Sequence, residues 1–364
     1  MTELIYYMPP ASDSSPGRVA SKVWHHLYEA RDDLEMDLLL LSDDPDISRQ
    51  HPDIAIETSQ AKDHVGDGLF YFPVSPVLGP GAAFRRLREL HRCGARLVSD
   101  YHGDLREDMY NHYKNRDLGL FLYTVPSALM AGKVLNWHEY LVLHSRYLEN
   151  IVRDRYDLKA STVVVPNGID EAVLDQDHHH IDLEGDLTIG FHGRLSYEKG
   201  LDLLIGAVAS MPEGVRDRVH LHMTGRGPME GSLRRTASRH GIEDQVHFPG
   251  FVPMEEVYAI IGSADLMMYP SRFDNFPVSV LEAFGLAKGP VLFSDRMGII
   301  EFTGPALEEN MFPLSVEAIR EAILKVLDGT MDVGTKVEEQ RSCARGFTWD
   351  KVIGEYITFL NGLQ

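Results

Sequence analysis

Cysteine is nearly absent. Cys93 and Cys343 are the only two in 364 residues and lie far apart, which excludes a disulfide scaffold and fits a reducing compartment. A long hydrophobic run is missing too: the longest uncharged stretch, roughly Leu118 to Gly132, falls short of the ~20 residues of a membrane span and contains Pro126. No basic region opens "MTELIYYMPP" and prolines follow at once, so no signal peptide is expected. Positive charge is scarce, with 35 Lys and Arg against 55 Asp and Glu, and the net −20 disfavours nucleic acid and anionic lipid as partners. There is no internal repeat, no low-complexity tract and no acidic cluster placed to hold Mg²⁺ between phosphates. What remains, 44% apolar and 25% charged residues, describes a soluble globular chain suited to two domains and expected in the cytoplasm.

Short apolar runs alternate with longer amphipathic ones. "LIYYM", "DLLLLS", "GLFYFPV" and "RLVSDYHG" punctuate the first half; "DLTIGFHG", "VHLHMTG", "VHFPG", "ADLMMYPS" and "PVLFSD" punctuate the second. Strands separated by helical patterns of 10–15 residues imply parallel sheets built from βαβ units. The expected class is α/β, with two Rossmann-like doubly wound domains facing each other across a cleft. We place them at 1–167 and 186–345. Between them "STVVVPNGIDEAV" ends a strand in a Pro-Asn-Gly turn and "LDQDHHHIDLEGD" is polar and aperiodic, giving a linker at about 168–185. His178, His179 and His180 are neighbours on an extended segment and point in different directions, so they read as solvated linker and not as a metal site.

Ligands of open parallel sheets sit at the carboxyl ends of the strands. The residues at those ends include Gly17, His102, Gly193, Arg194, Gly225, Gly227, Gly250, Asp274 and Asn275. The glycines, taken singly, are tight-turn residues. "FHGRLSYEKG" sets Arg194 just after a strand and Lys199 at the entry to a helix, where two cations can clamp a pyrophosphate without a metal. The plainer alternative is a surface ion pair with Glu198. "SRFDNFPVSVLEAFG" sets Asp274 in a loop and Glu282 inside a helix, with the N–H groups of the helix start between them. Pro277 suits that first turn but removes one donor. Ionised carboxylates only accept hydrogen bonds, so beside a phosphate site they suit sugar hydroxyls. Asp274 would hold a sugar, Glu282 a ribose and the helix start the phosphates, which together describe a nucleotide sugar.

From about Val163 to Glu301 the chain resembles the family 4 glycosyltransferases of the GT-B fold, through "VVVPNGID", "GRLSYEKG", "GRGP", "VHFPGFVPMEEV", "ADLMMYPS" and the acidic pair Asp274 and Glu282. The first half resembles them only in outline, through the Gly17 loop, "SDYHGD" and "HSRYLENIV". The resemblance implies a catalytic set of Arg194, Lys199, Asp274 and His102. It implies a donor-binding set of Glu282, Asn275, Phe276, Val278, Gly193, Phe251, Val252 and Gly17, with Phe251 and Val252 against the base. It further implies transfer of a hexose-type sugar with retention, without metal or other cofactor. The donor would be linked to uridine, guanosine or thymidine diphosphate, and the acceptor would be a carbohydrate, a lipid-linked compound or a small molecule. His102 would be a hydrogen-bonding residue or a general base, its ordinary pKa being ~6.5. This chain departs from the family in having Asp274 for the usual glutamate, a lone Gly17 after Pro16, and "EAFGLAKGPV" one residue longer than usual.

A nicotinamide-dependent oxidoreductase wants G-x-G-x-x-G in the first βα turn, and "MPPASDSSPGRVA" lacks it. A non-catalytic nucleotide-sugar-binding protein of the same fold is the stronger alternative. The segment "WDKVIGEYITFL" (349–362 in outline) is expected to cross back onto the first domain, with hinges in the linker and near Gly346. "FRRLRELHRCGAR" reads as a crossover helix with solvated arginines, so membrane association, at the inner face, is expected to be weak at most. "LGLFLYTVPSALMAG" is expected in the core, with an acceptor groove as its alternative.

Overall fold

The computed structural model describes residues 2–8, 15–74, 81–175 and 180–363. It divides into two compact units, Met1–Tyr110 with Leu118–Gly168 and Trp349–Gln364, and Asn111–Asp117 with Ile169–Thr348. The first holds seven strands: β1 (Glu3–Met8), β2 (Asp37–Ser42), β3 (Ala55–Ile56), β4 (Gly68–Phe72), β5 (Arg96–Tyr101), β6 (Tyr140–Leu143) and β7 (Ser161–Val164). They form one parallel sheet in the order β3-β2-β1-β4-β5-β6-β7. The second holds β8 (Leu187–His192), β9 (Val219–Thr224), β10 (Val246–Gly250), β11 (Leu266–Tyr269), β12 (Val291–Ser294) and β13 (Met311–Phe312). These are also parallel, in the order β10-β9-β8-β11-β12-β13. Both are doubly wound sheets of the kind the sequence pattern implies.

Continuous apolar runs suit strands covered on both faces. In β1 the two-residue period sends Leu4 and Tyr6 into one cluster, with Leu40, Tyr71 and Val98. Ile5 and Tyr7 go into the other, with Phe70, Phe72 and Leu97. The C-terminal helix Trp349–Asn361 covers the first of these faces, burying Trp349, Val352, Ile353, Tyr356 and Leu360. It is also tied in by polar contacts: the hydroxyls of Tyr71 and Tyr356 donate to the carboxylate of Asp100 on β5, at 2.5 and 3.4 Å. Burial pushes the Asp100 pKa well above the usual carboxylate range.

Three segments add detail to the sequence picture. Helix Ala82–Arg92 buries Leu87 and Leu90, while Phe84 and His91 stack on Trp137. Its apolar face is thus spent on packing, Arg86 pairs with Asp43 and Glu89, and Arg85, Arg88 and Arg92 face solvent. Helix Leu118–Leu135 continues past Gly132 and is the one helix among the described residues long and apolar enough to cross a membrane. Only its second half joins the core, through Ala128, Ala131, Val134 and Leu135. Leu118, Leu122 and Leu129 are 64%, 68% and 81% exposed, so the core expectation fails for the first half of this helix and for Leu129. The stretch is apolar all round, and a helix can turn only one face to its sheet. Within 168–185, Ile169 is buried and bridges to Thr348, and Glu171–Asp175 form a helical turn. Residues 176–179, with His178 and His179, lie outside the described residues.

Candidate functional site

At the carboxyl edge of the second sheet, β8 ends in His192 and the chain turns through Gly193 to Arg194. Beside it, β9 turns at Gly225, whose φ is +127°; an added Cβ there would lie 2.0 Å from the Gly193 carbonyl oxygen. The two turns therefore press together, backbone on backbone. A single 3₁₀ turn, Tyr197–Lys199, then presents Lys199. Arg272 locks this turn in place. Its guanidinium donates to both oxygens of Asp202 at 2.9 and 2.8 Å and to the Tyr197 carbonyl at 2.7 Å, and it lies over the Tyr197 ring. Its backbone N–H reaches the Glu198 carbonyl at 2.6 Å.

Lys199 points at Asp274: Nζ donates to Oδ2 at 2.5 Å, and both side chains are largely shielded. Burial alone would lower the lysine pKa, but the attraction and hydrogen bond of Asp274 outweigh it and the net shift is upward. The Asp274 main chain is held by hydrogen bonds to Arg296 and from Gly298. Arg194 is exposed and makes no ion pair among the described residues. Glu198 is bonded instead to the Ser196 hydroxyl, so the Arg194–Glu198 surface pair is not formed.

Glu282 sits one turn into helix Val278–Leu286. Its Oε2 accepts from Nε2 of His192 at 3.0 Å, and Nδ1 of His192 accepts from the Tyr269 hydroxyl at 2.7 Å. Burial raises the Tyr269 pKa well above its usual value, so that hydroxyl keeps its proton and fixes the His192 tautomer. One carboxylate oxygen of Glu282 is thus held in place, and Oε1 has no partner among the described residues. The helix follows Pro277 at its N-cap, which offers no side-chain cap to the N–H groups of the first turn. Val278 opens that turn, half-buried, and Asn275 is buried.

Phe276 requires a correction. Its ring is buried against Phe302 and Phe347 in the core, so it can face a donor only through its backbone. After Gly250 the Phe251 side chain is 72% exposed, whereas Val252 packs partly on the core. Gly17 is not in a loop. It is buried in the first turn of helix Ser15–Glu29, where its carbonyl accepts from Ser21, and residues 9–14 lie outside the described residues. The sequence reading missed His192, Tyr269, Arg272 and Asp202. His192 was findable, because it is the last strand residue before Gly193; the other three matter only through partners distant in sequence.

In the first unit His102 follows β5 and is fully engaged. Its Nε2 is 2.8 Å from the Pro73 carbonyl and its Nδ1 is 2.8 Å from Nε2 of His144, whose Nδ1 is 2.9 Å from the Val165 carbonyl. Two neutral rings carry two N–H groups for these three contacts. Burial opposes the third proton, pushing His102 down to about 4 and His144 to about 3. His138, also buried, is pushed down to about 4.

These shifts set an acid sensitivity. Unfolded histidine titrates near ~6.5, so between that pH and about 4 the unfolded chain binds more protons at these three rings than the native one does. Their contribution is complete above that window and is lost as pH falls through it. Asp100, raised by burial, acts with the opposite sign. Denaturant midpoints should fall as pH drops below ~6.5. A midpoint unchanged between pH 7 and 5 would contradict this.

Two units, each built on a parallel doubly wound sheet, define a fold of the GT-B type. Solved structures match over the full chain: Anabaena HepE (Alr3699) in complex with UDP and glucose, at TM-score 0.71 and 15% identity with 100% of both chains covered. Sucrose-phosphate synthase from Thermosynechococcus elongatus gives 0.69 and 14%, covering 100% of this chain and 99% of that one. Residues 175–344 match the family described as Glycosyl transferases group 1. Among curated relatives, the 2-deoxystreptamine glucosyltransferase of Streptomyces kanamyceticus is 30% identical over 146 residues, 40% of this chain and 37% of that protein. The uncharacterized glycosyltransferase MJ1069 of Methanocaldococcus jannaschii is 22% identical over 286 residues, 76% of this chain and 70% of that protein. The match thus spans little more than a third of the first relative's length.

Proposed function

We propose that the protein is a retaining, metal-independent glycosyltransferase that moves a hexose-type sugar from a nucleoside diphosphate to a carbohydrate, lipid-linked or small-molecule acceptor. The observation that carries this reading is the Lys199–Asp274 contact beside an uncapped helix start. A bare carboxylate next to a phosphate site would repel the donor. Here the ammonium spends one of its three N–H groups on Asp274 and keeps two for diphosphate oxygens. Asp274 accepts from a hydroxyl of the transferred sugar with its other oxygen, and Glu282 accepts from the ribose with Oε1. Exposed Phe251 offers a ring to the base. Arg194, Lys199 and the first turn of helix Val278–Leu286 then meet the charge that grows on the departing diphosphate. His102, its basicity reduced by burial, serves as a hydrogen-bonding residue and not as the base. The leaving phosphate oxygen takes the acceptor proton. The HepE complexes with UDP and with UDP-glucose lend support to a uridine-linked donor over guanosine or thymidine.

A panel of nucleotide sugars, scored by thermal shift and by slow donor hydrolysis, tests the proposal. One donor is expected to raise Tm and to be hydrolysed, and turnover is expected to survive EDTA. Binding without any sugar release would favour the non-catalytic binding protein. Loss of turnover in EDTA, restored by Mg²⁺ or Mn²⁺, would overturn metal independence.

A further inference from the structure

A second polar cluster lies away from the donor edge. On β9, His220 and His222 share one face of the sheet, and β10 sets His247 opposite His222. Chain segment 180–186 covers this face. His222 Nε2 donates to the Glu184 carbonyl at 2.9 Å, and Ile181 N–H donates to the Ser263 hydroxyl at 2.9 Å. Gly185 lies so close that an added Cβ would be 2.6 Å from His220. The rings of His220 and His247 are nearly parallel, 8° apart, with Nδ1 of one 2.9 Å from Nε2 of the other. The Glu184 carboxylate stands 3.7 Å from Nδ1 of His247. One ligand atom from each of Glu184, His220 and His247 falls within 4.8 Å of the others. Among the described residues no other group of three potential ligands converges in this way.

We propose that Glu184, His220 and His247 bind a transition-metal ion of the Zn²⁺ class, which pins segment 180–186 to the β9–β10 edge of the second sheet. Two imidazoles and one carboxylate suit Zn²⁺ and its neighbours and disfavour Mg²⁺ and Ca²⁺, which take oxygen ligands. Nδ1 of His220 and Nε2 of His247 are 2.9 Å apart while Glu184 stands by the other nitrogen of His247, so the exposed Glu184 side chain and the two rings reorient to share one ion. Burial lowers the pKa of His247 and of His222, which disfavours charge on those rings. On metal entry one ring shifts its N–H to its other nitrogen, and no net proton is lost. His222 steadies the segment through its bond to the Glu184 carbonyl. His220 lies four residues before Thr224, roughly 13 Å along the strand from the donor edge. The ion is therefore structural and takes no part at the diphosphate.

The test uses the full chain, stripped with chelator and desalted, then titrated with Zn²⁺ alone by calorimetry and thermal shift. One equivalent is expected to bind, with Tm rising by about 5 °C at large excess. Glu184→Gln should weaken binding at least tenfold, and His220→Ala or His247→Ala should remove it, along with the visible absorption of a tetrahedral Co²⁺ complex. Glu184 is exposed, so Glu184→Gln keeps the test decisive if a histidine variant fails to fold. His178→Ala with His179→Ala serves as the control and should leave the stoichiometry unchanged. No Zn²⁺ binding by the wild-type chain, binding unaffected by all three ligand substitutions, or loss of binding in the control alone would overturn the site.

Discussion

Lys199→Ala is expected to lower turnover at least ~10-fold, and Arg194→Ala with Lys199→Ala at least ~100-fold, since each charge-assisted contact contributes ~1.5–3 kcal/mol as charge grows on the leaving group. The two losses should differ in kind. Arg194 is exposed and unpaired among the described residues, so Arg194→Ala should leave Tm unchanged. Lys199→Ala also strips Asp274 of its 2.5 Å partner, leaving a shielded carboxylate next to the proposed phosphate site. Donor KM should therefore rise as kcat falls, and Asp274→Asn on the Lys199→Ala background should recover part of the KM but not the kcat. Steady-state kinetics against the best donor of the panel decides it. Near-normal turnover in the double variant would remove the diphosphate clamp altogether.

Gly200→Ala should damage both fold and activity. Gly200 has φ +66°, and a Cβ on it would lie 1.9 Å from the Pro270 carbonyl oxygen, a backbone atom that cannot swing aside. Either the Lys199 turn or the strand end that leads into Asp274 must shift, so the 2.5 Å contact between them is lost. We expect a loss of several kcal/mol, about 5 °C or more in Tm, with turnover reduced as far as in Lys199→Ala. Gly354→Ala is the matched control. Gly354 lies in the C-terminal helix with nothing within 4 Å of its added Cβ, and the substitution should stabilise by ~0.5–1 kcal/mol. A Gly200→Ala protein with wild-type Tm would contradict the close approach.

Several parts of the structure were legible residue by residue. Runs such as "LIYYM" and "LFYF" can lie only in a strand covered on both faces, and the helical patterns between them force parallel pairing. The rule that ligands gather at carboxyl strand ends was enough to single out Arg194, Asp274 and, through the helix that follows, Glu282. Reading failed where side-chain direction mattered more than position. Phe276 sits between two candidate residues, yet its ring turns inward to Phe302 and Phe347. Leu129 lies in an apolar stretch, yet its side of the helix faces away from the sheet and is 81% exposed.

By itself the sequence determined two doubly wound sheets, the order of their elements and the chemical types gathered at the second sheet's edge. Those follow from local periodicity and chain connectivity, which act over a few residues at a time. Tertiary structure decided the pairings. That Lys199 neutralises Asp274, that Tyr269 and His192 orient Glu282, and that Arg272 clamps the Lys199 turn all join residues at least 70 positions apart. The meeting of Glu184 in segment 180–186 with His220 on β9 and His247 on β10 likewise joins residues at least 27 positions apart. Such contacts exist only once the strands have taken their places, because hydrogen bonds and ion pairs act over a few ångströms of space whatever the distance along the chain.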